Sequence, residues 1–266
     1  MTTSPRPLWD PSQYLRHEGH RTRPFVDLLS RVAPVSPPAR IADLGCGAGN
    51  VTTLLAARWP EARITGYDNS REMLAKARQY ATPSLDFAYA EASTWAPAPA
   101  SYDLIVSNAL LQWVPDHASL IPAWLDALTP GGTFAFQVPG NFDAPSHTIL
   151  AELRESARWR SRLSGVGERA AAVLAPVDYL SLLTSLGCEA DVWETTYLQL
   201  LTGDDPVLDW VKGTALRPVL TALADDEEAV ADFTAEYATA LREAYPPGPD
   251  GTVFPFRRIF AVGVRR

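Results

Sequence analysis

Cysteine is almost missing from this chain. Only Cys46 and Cys188 occur among its 266 residues, and Cys46 lies between two glycines of an expected tight turn, where disulfide geometry is hard to satisfy. A reduced, cytoplasmic setting is therefore expected. Histidine is sparse too, with four in all, and no Cys/His spacing suits a structural zinc, so no metal is expected. Long hydrophobic runs are lacking. Nothing approaches the roughly 20 apolar residues that cross a bilayer, and Met1 to Pro7 holds no apolar signal segment. The expectation is a soluble protein without a membrane partner, a monomer or weak dimer. An excess of positive charge is also absent. The formal net charge of -8 argues against a large nucleic-acid surface, because phosphate backbones select concentrated Lys and Arg. It also means that an anionic small molecule must be held by arginines gathered locally. Finally, no G-x-S-x-G elbow follows a strand, which leaves a Ser-His-Asp hydrolase unsupported.

What is present is an ordinary globular composition, 47% hydrophobic and 10% aromatic, enough for one substantial core or one core with a smaller appended layer. From Arg40 to Pro139 short apolar runs alternate with helix-like segments, the pattern of βαβ units around a mostly parallel sheet. Strands are expected at 40–44, 63–68, 85–90, 104–108 and 132–138, and helices at 51–58, 71–80 and 118–128. Pro130, Gly131 and Gly132 read as the turn into the fifth strand. Later helical stretches, near 145–160, 177–186 and 205–245, surround two more strands at 190–200 and 257–264. The fold class is α/β: both late strands join the same sheet, making seven, and the helical insertion folds over as a cap. The Pro/Gly-rich stretches 34–38 and 245–251 read as connectors.

The best-defined chemical signal is the run Asp43, Leu44, Gly45, Cys46, Gly47, Ala48, Gly49, Asn50, between an expected strand and an expected helix. Its glycines allow a sharp turn and a close approach to a ligand, with helix N-terminal N–H groups left free to bind it. A dinucleotide fingerprint is spaced G-x-G-x-x-G; here the third glycine comes one position early, which weakens a nicotinamide reading. Asp68 ends the next strand about twenty residues further on, where a carboxylate can accept from both hydroxyls of a ribose. The plainer alternative is that it caps the helix starting near Ser70. Asn108 closes the fourth strand, and ligands of open α/β sheets bind at the strands' carboxyl ends. Trp113 either walls such a pocket or is plain core. The cluster Arg154, Arg158, Arg160, Arg162 has helical spacing and reads as a solvated face.

The D-L-G-C-G-A-G run resembles the first motif of class I methyltransferases, a Rossmann-like family that uses S-adenosyl-L-methionine and releases S-adenosyl-L-homocysteine. The resemblance implies that Gly45, Cys46, Gly47 and Gly49 flank the methionine part of the cofactor and that Asp68 and Asn69 hold the ribose. Glu91 and Ala92 would lie by the adenine, where the family commonly has Asp in place of Glu91. Met73 would offer a soft apolar surface to the purine, or be helix core. Asn108 would stand nearest the transferring methyl.

Other segments are similar to the bacterial trans-aconitate 2-methyltransferase family. They are Trp9, Asp10, Pro11 and Tyr14; Arg21, Arg23 and Pro24; Leu111 through His117; Pro139 and Asn141; Thr195 through Tyr197; Asp209 through Val211; Leu216 through Pro218; and Arg258 with Phe260. That similarity implies methyl transfer to a carboxylate of a small polycarboxylic acid, giving a monomethyl ester. A carboxyl of pKa near ~4 is ionised at pH 7, so no catalytic base is needed. Orientation in a dry pocket, worth roughly 7–11 kcal/mol of barrier, is what the protein must supply. Spectator carboxylates suit arginine's planar fork. Arg217 and Arg258 are the first candidates and Arg21 and Arg23 the next, with Tyr14, Trp113, Asn141, His147, Tyr197 and Trp210 completing the lining. For each arginine a surface ion pair is the plainer alternative. The chain is accordingly expected to divide into an N-terminal lid (1–33), a cofactor-binding core (34–140) and a helical substrate cap with the last two strands (141–266). The main competing reading is an O- or C-methyltransferase of secondary metabolism with another acceptor, since fold and cofactor do not fix substrate. A non-catalytic module that binds the same nucleoside is a third.

Overall fold

The computed structural model describes residues 19, 22–34, 36–167 and 173–266. The chain forms two compact units: Met1–Val138 with Val173–Glu194 and Ile259–Arg266, and Pro139–Ala172 with Thr195–Arg258. Among the described residues eight strands occur in chain order: β1 Arg40–Leu44, β2 Arg63–Asp68, β3 Leu85–Tyr89, β4 Tyr102–Asn108, β5 Leu128–Pro139, β6 Cys188–Leu201, β7 Pro247–Gly248 and β8 Gly251–Arg265. The sheet runs β3-β2-β1-β4-β5-β8-β6, with β7 paired to β8.

In the first unit, β1 lies between β2 and β4, parallel to both. The central strands are apolar and buried, as a sheet covered on two faces requires. Because the chain builds outward through β2 and β3 and then returns to place β4 on the other side of β1, the order reverses there. Such a switch point opens a crevice at the carboxyl ends of the strands. The core of this unit gathers Ile105, Trp124, Phe134, Phe136 and Tyr179, all fully buried. Ser70 starts the helix Arg71–Ala77 by accepting the Met73 N–H at 3.2 Å, a capping bond that satisfies an otherwise orphan donor.

The second unit is mainly helical, with helices Pro145–Glu155, Arg160–Leu163, Pro206–Lys212, Arg217–Ala222 and Glu227–Ala244. The stretch expected as helical near 205–245 is thus three helices. Its separate core collects Leu216, Phe233, Tyr237 and Phe254. Tyr237 donates its hydroxyl to the Ser146 carbonyl, and Ser146 donates its N–H to the Tyr245 hydroxyl at 3.0 Å, tying the first of these helices to the last.

Three expectations change. Pro130, Gly131 and Gly132 lie inside β5: the pairing with β4 jumps from Tyr102↔Leu128 to Leu104↔Thr133, and the surplus residues, with Gly131 at φ 78°, bulge out of an otherwise continuous strand. The segment 245–251 is not only a connector, because Pro247 and Gly248 pair antiparallel with Thr252 and Gly251, so β8 begins well before Arg257. The arginine cluster is not wholly solvated. Arg154 is buried, with Nη1 donating to the Val166 carbonyl, whereas Arg158 pairs with Asp232 and Glu236, and Arg162 with Asp226 at 2.8 Å.

Candidate active site

A cleft of about 310 Å³ opens at the switch point of the first unit. It is lined by Leu44, Gly45 and Gly47 after β1, Tyr67, Asp68, Asn69 and Met73 after β2, Ala90, Glu91 and Ala92 after β3, and Ala109, Leu110, Trp113 and Val114 after β4. Two carboxylates face it, and among the described residues no lysine or arginine lines it. That charge pattern suits a cationic nucleoside and opposes a pyrophosphate, which would seek cations or a fuller set of donors.

Asp68 links two of the loops. Its Oδ2 accepts the Gly47 N–H at 2.9 Å and its Oδ1 the Ser70 N–H at 2.8 Å. A carboxylate has about four acceptor sites, so two remain for hydroxyl donors. The cap of the next helix is Ser70, whose own N–H Asp68 accepts, so the bond at the helix start and the free acceptor sites coexist. Beside it, Asn69 donates Nδ2 to Glu91 Oε2 at 2.9 Å, and that bond holds the Glu91 carboxyl below its usual range. Met73 is 38% exposed rather than core, and Trp113, at 54%, is exposed as well.

The glycines divide by role. Gly47, at φ 56°, lines the cleft, and a Cβ there would meet nothing within 4 Å. Gly49, at φ 78°, does not line it; a Cβ there would stand 2.8 Å from Phe87 Cζ and 2.9 Å from Ala77 Cβ. Gly49 therefore lets the loop pack against β3 and the helix Arg71–Ala77, a correction to its expected place at the ligand. Cys46 is likewise buried and off the lining, and burial first, then the charges of Asp43 and Asp68, push its thiol far up. Asn108 is not among the lining residues either: its Oδ1 accepts from Gln137 Nε2, and Ala109, held at φ 58°, turns the chain so that Leu110 forms the wall. Gln112 braces that turn by donating Nε2 to the Ala109 carbonyl. Beneath the loop, fully buried Asp43 accepts the Thr52 hydroxyl at 2.7 Å; burial pushes its carboxyl up to about 6, the Thr52 bond opposing and the Asp68 charge adding.

Tyr67 and Ala90 are lining residues that sequence reasoning did not single out. Their signal was positional: each stands at or just past the carboxyl end of a strand.

In the second unit, Arg258 is 8% exposed, with its guanidinium carbon 4.6 Å from the Phe256 ring centre, and Trp210 lies 5.9 Å from the same ring. Gly140 and Arg257 exchange backbone and side-chain bonds at 2.9 Å, which sets Asn141 next to this strand. Asn141 is buried, and its Nδ2 has no hydrogen-bond partner among the described residues. Tyr197 is buried, and His147 packs edge-on to Phe142 with Nδ1 3.1 Å from Ser146 Oγ. Arg217 opens its helix with an exposed side chain and makes no ion pair to a described residue. Phe256 is the platform that the sequence reading missed. In the first unit, Arg23 is exposed and 3.8 Å from Asp27. Tyr14 and Arg21 lie outside the described residues. No group of His, Cys, Asp and Glu among the described residues could hold a metal, and no helix among them is long and apolar enough to cross a membrane.

A family model described as a methyltransferase domain matches residues 41–132, the stretch carrying the glycine loop, Asp68 and Glu91. The solved YcgJ protein of Bacillus subtilis shares the fold, with TM-score 0.59 and 15% identity over 93% of this chain and 99% of that one. The chain is an S-adenosylmethionine-dependent methyltransferase with the Rossmann-like class I fold. Beyond the domain model, a trans-aconitate 2-methyltransferase of Streptomyces avermitilis is 67% identical over 264 residues, covering 96% of both chains. One from Streptomyces coelicolor is 63% identical over 263 residues, 96% of this chain and 86% of its own. The chain belongs to the trans-aconitate 2-methyltransferase family.

Proposed function

We propose that this chain transfers the methyl group of S-adenosylmethionine to a carboxylate oxygen of trans-aconitate, yielding a monomethyl ester and S-adenosylhomocysteine. The observation that carries this reading is 67% identity across 96% of the chain to a relative named for that reaction, an identity that extends through the second unit, where the domain model has no match.

The cofactor brings an electrophilic methyl on a sulfonium, and the cleft residues suit it. Asp68 offers its two remaining acceptor sites to ribose hydroxyls, with Asn69 beside it. Glu91, steadied by Asn69, and Ala92 face the adenine, and the exposed Met73 thioether covers the purine ring. Gly45 and Gly47 let the backbone approach the methionine portion, while Cys46 and Gly49 shape the loop from behind. Asn108 acts through Gln137 and the Ala109 turn rather than by lining the cleft.

For the acceptor, Arg258 is the first anchor, because a buried guanidinium held over an aromatic face can give a carboxylate two parallel charge-assisted bonds. Asn141 supplies a buried N–H donor. Arg217, His147, Tyr197 and Trp210 are the further candidates in the second unit. Trp113 and Arg23 are candidates in the first, Arg23 the weaker since Asp27 already stands beside it. The acceptor oxygen arrives ionised, so the residues bind and orient and no base is required. The protein acts on a free small carboxylate as a monomer or weak dimer, not on nucleic acid, and its two buried, free cysteines accord with a reducing cytoplasm. The test is a methyl-transfer assay across di- and tricarboxylates. Turnover highest on trans-aconitate supports the reading; turnover only on an unrelated alcohol or carbon acceptor overturns it.

A further inference from the structure

Asp43 is a buried carboxylate short of compensating charge. It is 0% exposed, and its Oδ1 is buried with no hydrogen-bond partner among the described residues. Its neighbours can be named element by element. Gly66 of β2 and Val106 of β4 are its register partners, Thr52 reaches it from the following helix, the Cys46 thiol faces it from the loop, and Asp68 acts on it from the end of β2. Among the described residues, none of the groups acting on it is a cation. Yet the next two residues, Leu44 and Gly45, line the cleft, and so does Asp68, whose charge acts on Asp43.

We propose that Asp43 is a specificity-determining residue: its uncompensated charge makes the cleft prefer the sulfonium cofactor to the neutral thioether product. The inference rests on the cofactor reading above. In the reaction the carbon–sulfur bond breaks with its electron pair left on sulfur, a carbon–oxygen bond forms to the carboxylate, and the nucleoside loses one positive charge. An ionised Asp43 therefore holds the reactant form and favours departure of the product form. Coulomb attraction between opposite unit charges inside a protein is worth a factor on the order of ten or more in affinity.

The same charge makes binding proton-linked. Burial raises the folded-state pKa to about 6, so this group's contribution to stability is present below the ordinary carboxylate range and is lost as pH rises through about 6. A cationic ligand offsets that loss. Below the same pH it must first expel a proton from Asp43, and its affinity falls with a limiting slope of about tenfold per pH unit. The neutral product carries no such slope. Glu91, held below its usual range, titrates outside this window.

Calorimetric titration of the full chain with S-adenosylmethionine and with S-adenosylhomocysteine, from about pH 5 to about pH 7 and in two buffers of different ionisation enthalpy, tests this. The preference for the sulfonium form should grow about tenfold across the range, with proton release seen for that ligand alone, and Asp43→Asn should flatten the ratio. A ratio independent of pH in the unaltered chain, or a slope that survives Asp43→Asn, overturns the proposal. If Asp43→Asn does not fold, Thr52→Val serves, because losing the hydroxyl raises the carboxyl further and must move the midpoint to higher pH; an unmoved midpoint also overturns it. Failure of both ligands to bind the unaltered chain would instead sink the cofactor reading.

Discussion

Gly47 and Gly49 sit two residues apart in one loop, and the structure gives them different work that alanine can separate. Both have positive φ, so either substitution costs about 1 kcal/mol of backbone strain. At Gly49 the new methyl also lands 2.8 Å from Phe87 Cζ and 2.9 Å from Ala77 Cβ, one atom in a buried ring and the other on a fully buried alanine. Overpacking of that kind costs a further 1–3 kcal/mol or so, and Gly49→Ala should lose on the order of 2–4 kcal/mol in all. At Gly47 the methyl meets open space, so stability should fall by only about 1 kcal/mol. It stands at the edge of the cleft, however, where a close backbone approach is proposed, and S-adenosylhomocysteine affinity should drop by about tenfold or more, equivalent to roughly 1.4 kcal/mol. Urea unfolding followed by circular dichroism reads the first effect, and titration calorimetry of folded protein the second. The reasoning fails if Gly47→Ala is destabilised as much as Gly49→Ala while binding normally, or if Gly49→Ala is stable and does not bind.

Three further outcomes are expected. Arg258→Ala should raise the KM for trans-aconitate about 100-fold, the loss of a bidentate charged pair worth roughly 3 kcal/mol, while S-adenosylhomocysteine binding measured by calorimetry stays within a few-fold; unchanged kinetics would remove Arg258 from the acceptor site. Asp68→Ala should weaken S-adenosylhomocysteine by roughly 1.5–3 kcal/mol, about 10- to 150-fold, and wild-type affinity in the same titration would refute the ribose role. Ala109→Gly relieves a residue at φ 58° and should cost little stability or raise it by about 1 kcal/mol, whereas Ala109→Val should lower both the unfolding midpoint and cofactor affinity; equal behaviour of the two would contradict the strained-turn account.

The legible part of this protein was local. Strands β1 to β4 showed as apolar runs, and the glycine loop with Asp68 showed as a spacing, so the switch-point cleft followed from pattern alone. What escaped depended on residues far away in sequence. Gly49 looks like a ligand glycine until Phe87 and Ala77 are seen against it. Pro130 and Gly131 signal a turn in any local reading, and only pairing with β4 makes them a bulge within a strand. Arg154 fits a solvated helical stripe until the Val166 carbonyl claims it. Phe256, one residue in a strand begun early by the Pro247–Gly248 hairpin, could be recognised as the platform for Arg258 and Trp210 only once the helices of its unit were in place. The buried, half-satisfied Asp43 was visible as a motif residue but not as a charge without a counterion, because burial is a property of the whole sheet.

Incubating the purified chain with S-adenosylmethionine carrying an isotope-labelled methyl and with trans-aconitate, and reading the product by NMR, addresses the central claim most directly. A single labelled O-methyl ester on an otherwise intact aconitate, formed in step with S-adenosylhomocysteine, is the predicted result. Label that stays on the cofactor, or that appears on carbon or nitrogen of another acceptor while trans-aconitate is untouched, would contradict it.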